Sequence, residues 1–184
     1  MVRMLPDEAL ARAQKGDPAA FEWIYSQLSP LVLGYFSGRG AEDPEGLTQE
    51  VFLTVFTKLT SLQGGPGALR TFVFSVAHAR WVDEVRRRAR GPLLTGYEPD
   101  ADSRTSASAE SVALDRFGEG NIEELLTALK DEHREVLLLR IVAGLSLEQV
   151  GDVMGRSTGS IKQLQRRGLL RLKELVELNQ KEAS

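Results

Sequence analysis

The sequence of 184 residues contains no cysteine and only two histidines. Without cysteine the chain has no disulfide bonds, no thiolate zinc site and no cysteine nucleophile. No apolar run reaches the roughly 20 residues that a membrane-spanning helix needs. The first ten residues also lack the hydrophobic core of a signal peptide. These absences predict a cytoplasmic protein without membrane insertion.

Motifs of the common enzyme classes are missing as well. The sequence has no HExxH, Walker A or GxSxG pattern. The two histidines, His78 and His133, are far apart in sequence, which disfavours a metal site. We expect His78 to face solvent or a phosphate, and His133 to lie on the surface. The sequence therefore predicts no catalytic residues, no metal and no cofactor, and we expect that the protein is not an enzyme.

The net charge of −3 arises from the middle of the chain. Residues 91–120 carry 2 basic and 6 acidic side chains, whereas residues 1–90 carry 11 basic and 10 acidic ones, and residues 121–184 carry 10 of each. The middle segment is rich in Ser, Asp, Gly and Ala and offers little apolar surface to bury, which indicates a flexible acidic linker. We therefore predict two small domains, residues 1–90 and 121–184, joined by that linker.

Apolar residues recur at helical spacing, and no alternating pattern indicates a sheet, so the predicted fold is all-α. In the first domain, helices are expected to start at Asp17-Pro18 and again at Ser29-Pro30, because Asp or Ser caps a helix and Pro fits its first turn. A loop over residues 38–46 then leads to a third helix, over residues 47–59. The fourth helix is predicted from about Leu69 to Arg88, with core positions Phe72, Val73, Val76, Val82 and Val85.

The second domain is predicted to contain four helices. Asn121 and Asp131 are expected to cap the first two, and the second should end at Gly144. The stretch Ser146-Leu-Glu-Gln149 has the form of a capping box, so it should open the third helix, which stops at Gly155. Ser157 then caps the last helix.

The last two predicted helices have the spacing of a helix-turn-helix. In such a motif the N-terminal turn of the second helix reaches the bases, and other basic residues contact phosphates. Polar and basic side chains lie opposite the apolar face of this helix. A second basic cluster, Arg86–Arg90, lies earlier in the sequence, at the end of the first domain. A solvated helix face would explain this cluster and the basic residues of the last helix equally well. The residues predicted to contact duplex DNA are Arg156, Ser157, Thr158, Ser160, Lys162, Gln163, Arg166 and Arg167, with Arg171 as a further phosphate contact.

Several further sequence motifs occur in a fixed order over nearly the whole chain. They are Leu47-Thr-Gln-Glu-Val-Phe52, Thr71-Phe-Val-Phe-Ser-Val-Ala77, Val82-Asp-Glu-Val-Arg-Arg-Arg88, Leu137-Leu-Leu-Arg140, Gly144-Leu-Ser146 and Ile161-Lys-Gln-Leu-Gln165. With them the chain resembles the extracytoplasmic-function (ECF) sigma factors of the sigma-70 family, which are small subunits of bacterial RNA polymerase. The chain departs from the family pattern at Gly46, Phe72, Ala79 and Gly168.

The resemblance implies that the first domain is sigma region 2, with four helices, and that the second is sigma region 4, with four helices and the −35-binding helix-turn-helix. It also implies that the loop 60–68 holds a flipped base and that Trp81 either stacks on a base or packs in the core. The residues implied to bind the −10 element are Gln63, Arg70, His78, Arg80, Trp81, Arg86, Arg87 and Arg88. The residues implied to bind core polymerase are Gln49, Glu50, Leu53 and Thr54, with Lys58 beside them.

The expected partners are core RNA polymerase, promoter DNA and an anti-sigma factor. Fully extended, the linker would reach roughly 90–100 Å at ~3.3 Å per residue, enough to join two separated promoter elements. Two other functions are open at this point. One is a stand-alone helix-turn-helix regulator that binds duplex DNA as a dimer, and the other is a helical adaptor that binds only protein.

Overall fold

The structure, a computed structural model, describes residues 7–90 and 122–182, and within these ranges the secondary structure is helical without strands. The all-α prediction is confirmed. We call residues 7–90 the first half and residues 122–182 the second half. The predicted linker and the predicted cap Asn121 lie outside the described residues. The helices are α1 (Asp7–Gln14), α2 (Pro18–Gly38), α3 (Pro44–Lys58), a 3-10 turn (Leu59–Ser61), α4 (Pro66–Ala89), α5 (Ile122–Thr127), α6 (Asp131–Ile141), α7 (Leu147–Met154) and α8 (Thr158–Glu182).

Helix α2 is one continuous helix, so the predicted second start at Ser29-Pro30 was wrong. The start at Asp17 is confirmed, because its side chain accepts a hydrogen bond from the Ala19 N–H at 3.0 Å. Arg12, 2.6 Å from the same carboxylate, holds the pKa of Asp17 below its usual value. Pro30 lies inside the helix and removes one backbone donor. The helix continues past it because its apolar face is buried on both sides of the proline, at Ala20, Ile24, Leu28, Val32, Tyr35 and Phe36.

Helices α3 and α4 both begin earlier than predicted, each with a proline in its first turn. Asp43 caps α3 by accepting a hydrogen bond from the Gly46 N–H at 2.8 Å. A Cβ at Gly46 would lie 2.2 Å from the same carboxylate, which explains why glycine stands here.

The predicted core register of α4 was partly wrong. Val73 is buried, but Val85 is 43% exposed, and Phe72, Val76 and Val82 are only half-buried. Helix α4 packs against α3 on one side and α7 on another, so its buried surface is wider than a single stripe and turned away from Val85. The positions buried on α4 are Leu69, Val73, Phe74, Ala77, Trp81 and Glu84.

The turn signals of the second half are largely confirmed. Ser146 and Gln149 form the capping box of α7, and Gly155 ends it with φ of +63°. The predicted bounds of α6 were wrong by a few residues: Lys130 is its N-cap, Asp131 is its first residue, and the helix ends at Ile141.

The C-terminal end of α5 is closed by a buried arginine that the sequence analysis did not single out. Arg134 is 8% exposed, and its guanidinium donates to the carbonyls of Leu126 (2.6 Å), Thr127 (2.7 Å) and Leu129 (3.2 Å). Burial lowers the pKa of Arg134 from its usual value. One side chain thus satisfies carbonyls that a helix end leaves without partners.

The two halves share a continuous core. Helix α4 packs against α7, and α2 packs against α5 and α6. At the end of α2, a Cβ on Gly38 would lie 2.6 Å from Leu138 Cδ2, so glycine permits the close approach of α6. The sequence predicted a tether between the domains and did not anticipate this contact.

The first prediction concerns Arg134. The Arg134→Met variant keeps the apolar stem but removes all three hydrogen bonds to the carbonyls, so we expect the free energy of unfolding to fall by about 2–4 kcal/mol. Urea denaturation followed by circular dichroism measures this change. The control is Arg171→Met, which removes an arginine whose side chain is 50% exposed; its effect should stay below about 0.5 kcal/mol. Equal losses in the two variants would contradict the assignment.

Candidate nucleic-acid interface

The turn between α7 and α8 is tight because of a glycine within α7. A Cβ on Gly151 would lie 2.7 Å from the Arg156 carbonyl oxygen and 3.9 Å from the Thr158 nitrogen. The Arg156 N–H also donates to the Gly151 carbonyl at 2.9 Å. The hydroxyl of Ser157 accepts from the Ser160 N–H at 3.3 Å, as expected of the predicted cap. The two helices are thereby held in the compact arrangement of a helix-turn-helix.

Helix α8 separates an apolar face from a polar one. Ile161, Leu164 and Gly168 are buried, as predicted. All the residues predicted to contact duplex DNA lie in the turn before α8 or in its N-terminal half, where the structure brings them together. The exposed ones are Arg156, Ser157, Lys162, Gln163, Arg166 and Arg167, and the half-buried ones are Thr158 and Ser160.

The positive charge on α8 is unpaired where the helix begins. Among the described residues, no carboxylate lies within 4.0 Å of Lys162, Arg166 or Arg167. Arg156 is paired with Glu132, and the later Arg171 is paired with Glu174 on its own helix. The concentrated cationic surface is therefore the N-terminal part of α8, beside a shallow groove bordered by Gly159, Ser160 and Gln163.

The arginines at the end of α4 differ, because they are paired within the protein. Arg87 pairs with Glu84, which is 7% exposed, and Arg88 Nε donates to Glu84 Oε1 at 2.8 Å. Arg86 lies 3.9 Å from Asp83. Acidic side chains of the same helix therefore neutralise much of the charge of this cluster.

Two of the residues implied to bind the −10 element, Arg70 and His78, contact the second half, and a third, Trp81, is buried. Arg70 donates to the Ala143 carbonyl at 3.1 Å, and burial lowers its pKa. His78 Nδ1 lies 2.8 Å from Glu135 Oε1, so the expected solvent-facing position was wrong. Trp81 is 6% exposed, and the Arg39 guanidinium lies 4.8 Å from its ring centroid. A base therefore cannot stack on Trp81 unless Arg39 moves.

The other histidine also departs from expectation. His133 is half-buried, and its Nδ1 is buried without a hydrogen-bond partner among the described residues. It lies against α8, since a Cβ on Gly168 would be 3.3 Å from the Cβ of His133. The expected surface position was wrong because α8 packs over this face of α6.

The loop before α4 is anchored by a residue that the sequence analysis missed. Gln14 Nε2 donates to the carbonyls of Leu59 (3.2 Å) and Leu62 (2.8 Å). Gln63 follows and is exposed, and Gly64 has φ of +105°, which favours glycine. Anchoring from α1 fixes this loop beside α3 and α4, and no sequence pattern marked Gln14 for that role.

The outer face of α3 carries the residues implied to bind polymerase. Gln49 and Glu50 are exposed, and Leu53 is 70% exposed. Thr54 is half-buried; its hydroxyl donates to the Glu50 carbonyl at 3.0 Å and accepts from Arg80 Nη2 at 3.1 Å. This surface therefore adjoins Arg80, one of the residues implied to bind the −10 element.

Two family models match the chain. The one described as Sigma-70 region 2 matches residues 24–91, and the one described as Sigma-70, region 4 matches residues 125–174. The sequence is 31% identical over 176 residues to the ECF RNA polymerase sigma factor ShbA of Streptomyces griseus, covering 90% of this chain and 92% of that relative. It is 29% identical over 176 residues to the ECF RNA polymerase sigma factor SigD of Mycobacterium tuberculosis, covering 92% of this chain and 83% of the relative.

One solved structure is similar over most of the fold. The structure of CnrH in complex with the cytosolic domain of CnrY matches with a TM-score of 0.66 at 20% sequence identity. The match covers 94% of this chain and 97% of that one. The fold of this chain is therefore one already seen in a solved protein.

The second prediction tests the turn. We expect Gly151→Ala to lower the free energy of unfolding by about 1–3 kcal/mol, because its methyl group meets a backbone oxygen that cannot move without distorting the turn. Gly159→Ala is the matched control, since a Cβ at Gly159 meets nothing within 4 Å. Alanine in a helix should stabilise that variant by up to about 1 kcal/mol. Urea titrations of both variants check the contrast, and a stable Gly151→Ala protein would contradict it.

Proposed function

The chain belongs to the sigma-70 family of RNA polymerase sigma factors, and on that basis we propose which of its surfaces bind promoter DNA and core polymerase. It is an alternative sigma subunit of the ECF group, directing transcription from promoters. Sigma factors are DNA-binding regulatory subunits rather than enzymes, and we infer that this chain carries out no catalytic step of its own. The region 2 match in the first half favours this function over a stand-alone helix-turn-helix regulator.

The proposed division of the chain follows the sequence analysis. Residues 1–90 form region 2, residues 91–120 form the linker, and residues 121–184 form region 4. The proposal is supported by the element order, in which α1–α4 precede and α5–α8 follow the undescribed segment. The site of action is then the cytoplasm, where bacterial RNA polymerase transcribes.

The N-terminal part of α8 is proposed to bind the −35 element. The observation that carries this proposal is the exposed charge of Lys162, Arg166 and Arg167 in the first turns of α8, which no carboxylate pairs within the part of the chain that the structure describes. Arginine and glutamine side chains are the usual donors to guanine and adenine edges in the major groove. Gln163 and Arg166 are therefore assigned to base readout, with Thr158 and Ser160 beside them. Arg156, Ser157, Lys162, Arg167 and Arg171 are assigned to phosphate contacts, which position the helix.

The exposed part of α4 and the preceding loop are proposed to bind the −10 element. Gln63 and Arg86 are exposed, and Arg80 lies 3.8 Å from Glu50 with both side chains partly exposed. Surface ion pairs of this kind contribute only about 0–1 kcal/mol, so DNA phosphates can replace the carboxylates. Arg87 and Arg88 are assigned to the same strand. Arg70 and His78 are assigned to it only when the second half has moved away, and Trp81 only when Arg39 has left its ring.

The outer face of α3 is proposed to dock on core polymerase. Leu53 is a large apolar side chain exposed at the centre of this face, and Gln49, Glu50 and Thr54 surround it. A leucine that is 70% exposed is well placed to enter a pocket of a partner. Lys58 lies farther along the same helix.

An anti-sigma factor is proposed as a further partner. CnrH, which has the same fold, was solved with the cytosolic domain of a second protein, CnrY. We infer that a protein of that kind restrains this chain by covering the surface around Leu53, which polymerase also needs.

The third prediction tests the proposed function directly. With core RNA polymerase on a promoter library, the wild-type protein should direct initiation above that of core alone. Arg166→Ala should reduce initiation about tenfold, and Gln163→Ala should relax base preference within the −35 element. The control Lys15→Ala removes an exposed positive charge from the first half and should change neither result.

Wild-type protein that fails to raise initiation above core alone would overturn the sigma assignment. If wild type is active but Arg166→Ala and Gln163→Ala behave like Lys15→Ala, the α8 surface is not the −35 reader.

The fourth prediction concerns polymerase docking. We expect Leu53→Ala to weaken the affinity for core polymerase by about tenfold, because truncating an anchoring side chain removes its buried contact. The unfolding midpoint should not change, since Leu53 is 70% exposed. Leu178→Ala is the matched control, because Leu178 is also an exposed leucine on a helix, 51% exposed on α8. Binding measured by fluorescence anisotropy should distinguish the two, and equal affinities would contradict the docking assignment.

A further inference from the structure

The contact between the halves is centred on one buried carboxylate. Glu135 lies on α6 and is 3% exposed. Its Oε1 accepts a hydrogen bond from Tyr35 Oη at 2.7 Å and another from His78 Nδ1 at 2.8 Å. Its Oε2 lies 3.1 Å from Arg39 Nη1. All three partners belong to the first half. Tyr35 lies on α2, Arg39 follows α2 directly, and His78 lies on α4.

Two of the partners, Tyr35 and Arg39, are well suited to binding an anion. Burial, followed by the nearby charge of Glu135, raises the pKa of Tyr35 well above its usual value, so the hydroxyl stays protonated and donates. Arg39 is 8% exposed, donates also to the Asp131 carbonyl at 3.0 Å, and stacks over Trp81. A buried guanidinium requires a counter-charge, and Glu135 supplies it.

Other polar contacts cross the same interface. Arg70 reaches the Ala143 carbonyl, and Gln149 Nε2 donates to the Gly67 carbonyl at 3.2 Å. The cluster is not fully satisfied: Arg39 Nε, Trp81 Nε1 and Glu135 Oε2 are buried without hydrogen-bond partners among the described residues, so the contact between Arg39 and Glu135 is an ion pair and not an aligned hydrogen bond. Incompletely paired buried polar groups make an interface less stable than an apolar one. This interface is therefore suited to open and close rather than to hold permanently.

We propose that Glu135 is the latch of a closed state, in which the second half covers Arg39, Arg70 and His78 and thereby withholds part of the −10-binding surface from DNA. The functional consequence rests on the proposed sigma function, but the latch itself does not. In the closed state the carboxylate occupies the position beside Arg39 that a strand phosphate would otherwise take. Promoter binding requires the halves to separate, and affinity for single-stranded DNA falls with the fraction of molecules that are open.

The first test replaces the charge without changing the shape of the side chain. Glu135→Gln leaves the Arg39 guanidinium buried without a counter-charge, so the closed state should lose population. In a Trp23→Phe background, Trp81 is the sole tryptophan, since the chain has two. We expect steeper acrylamide quenching of Trp81 and a larger radius of gyration by X-ray scattering. Tyr35→Phe, which removes one hydrogen bond, should give an intermediate result.

The control is Glu124→Gln, the same change at an exposed carboxylate on α5; it should behave as wild type. Binding to a short fluorescent single-stranded DNA of random sequence should tighten about tenfold in Glu135→Gln and not in the control. If Trp81 and the radius of gyration do not change, Glu135 is not a latch. If the halves open but DNA binding stays the same, closure does not withhold the surface, and the proposal fails at that step.

The second test locks the closed state. The chain has no cysteine, so a Gly67→Cys/Gln149→Cys pair can be joined selectively by a short bismaleimide across the interface. We expect the cross-link to reduce initiation with core polymerase at least about tenfold relative to the same double variant without the cross-link, a comparison in which any effect of the two substitutions themselves cancels. Equal initiation by the joined and the unjoined protein would overturn the proposal. The quenching and scattering measurements use neither polymerase nor promoter. They therefore test whether Glu135 holds the two halves together even if the sigma function were disproved.

Discussion

The buried carboxylate of Glu135 joins the two halves of this chain. Burying such a charge is unfavourable unless other groups neutralise and hydrogen-bond it. Here the neutralising groups come from a different part of the sequence: Tyr35 and Arg39 lie about a hundred positions earlier. Much else follows from this constraint. Gly38 must lack a side chain so that α6 can approach, and Trp81 is covered because Arg39 lies over its ring.

The basic cluster at the start of α8 and the one at the end of α4 differ in whether their charges are paired with carboxylates. At the start of α8, Arg166 and Arg167 have no carboxylate near them within the described residues. At the end of α4, Arg87 and Arg88 share Glu84, which is itself buried. Free cations attract DNA phosphates directly, whereas paired ones must first exchange partners. The surface proposed for the −35 element is thus available in the closed chain, and the surface proposed for the −10 element becomes available only as internal pairs are replaced.

Local signals in the sequence predicted local structure well. The cap at Asp17, the capping box at Ser146, and the stop at Gly155 each depend on side chains within a few residues, and all are present. The continuous α2 was missed because burial on both sides of Pro30 outweighs the proline, and burial is a tertiary property. The residues assigned to α8 could be named because an exposed helical face is visible in the pattern itself. The roles of Glu135 and Arg39 could not be predicted, because most charged residues are exposed to solvent and only the fold shows that these two are buried together.

The surface proposed for polymerase and the surface covered by the latch lie on different sides of the first half. Leu53 points outward from α3 and is exposed while the halves are closed. The face that carries Arg70 and His78 meets α6 and the segment after it. A closed chain can therefore meet polymerase before it meets the −10 strand. Binding energy gained at α3 can then offset the cost of separating Glu135 from Arg39, provided that polymerase holds the halves apart. This order would confine strand capture to the polymerase complex, which suits a subunit whose own net charge of −3 gives little long-range attraction for DNA.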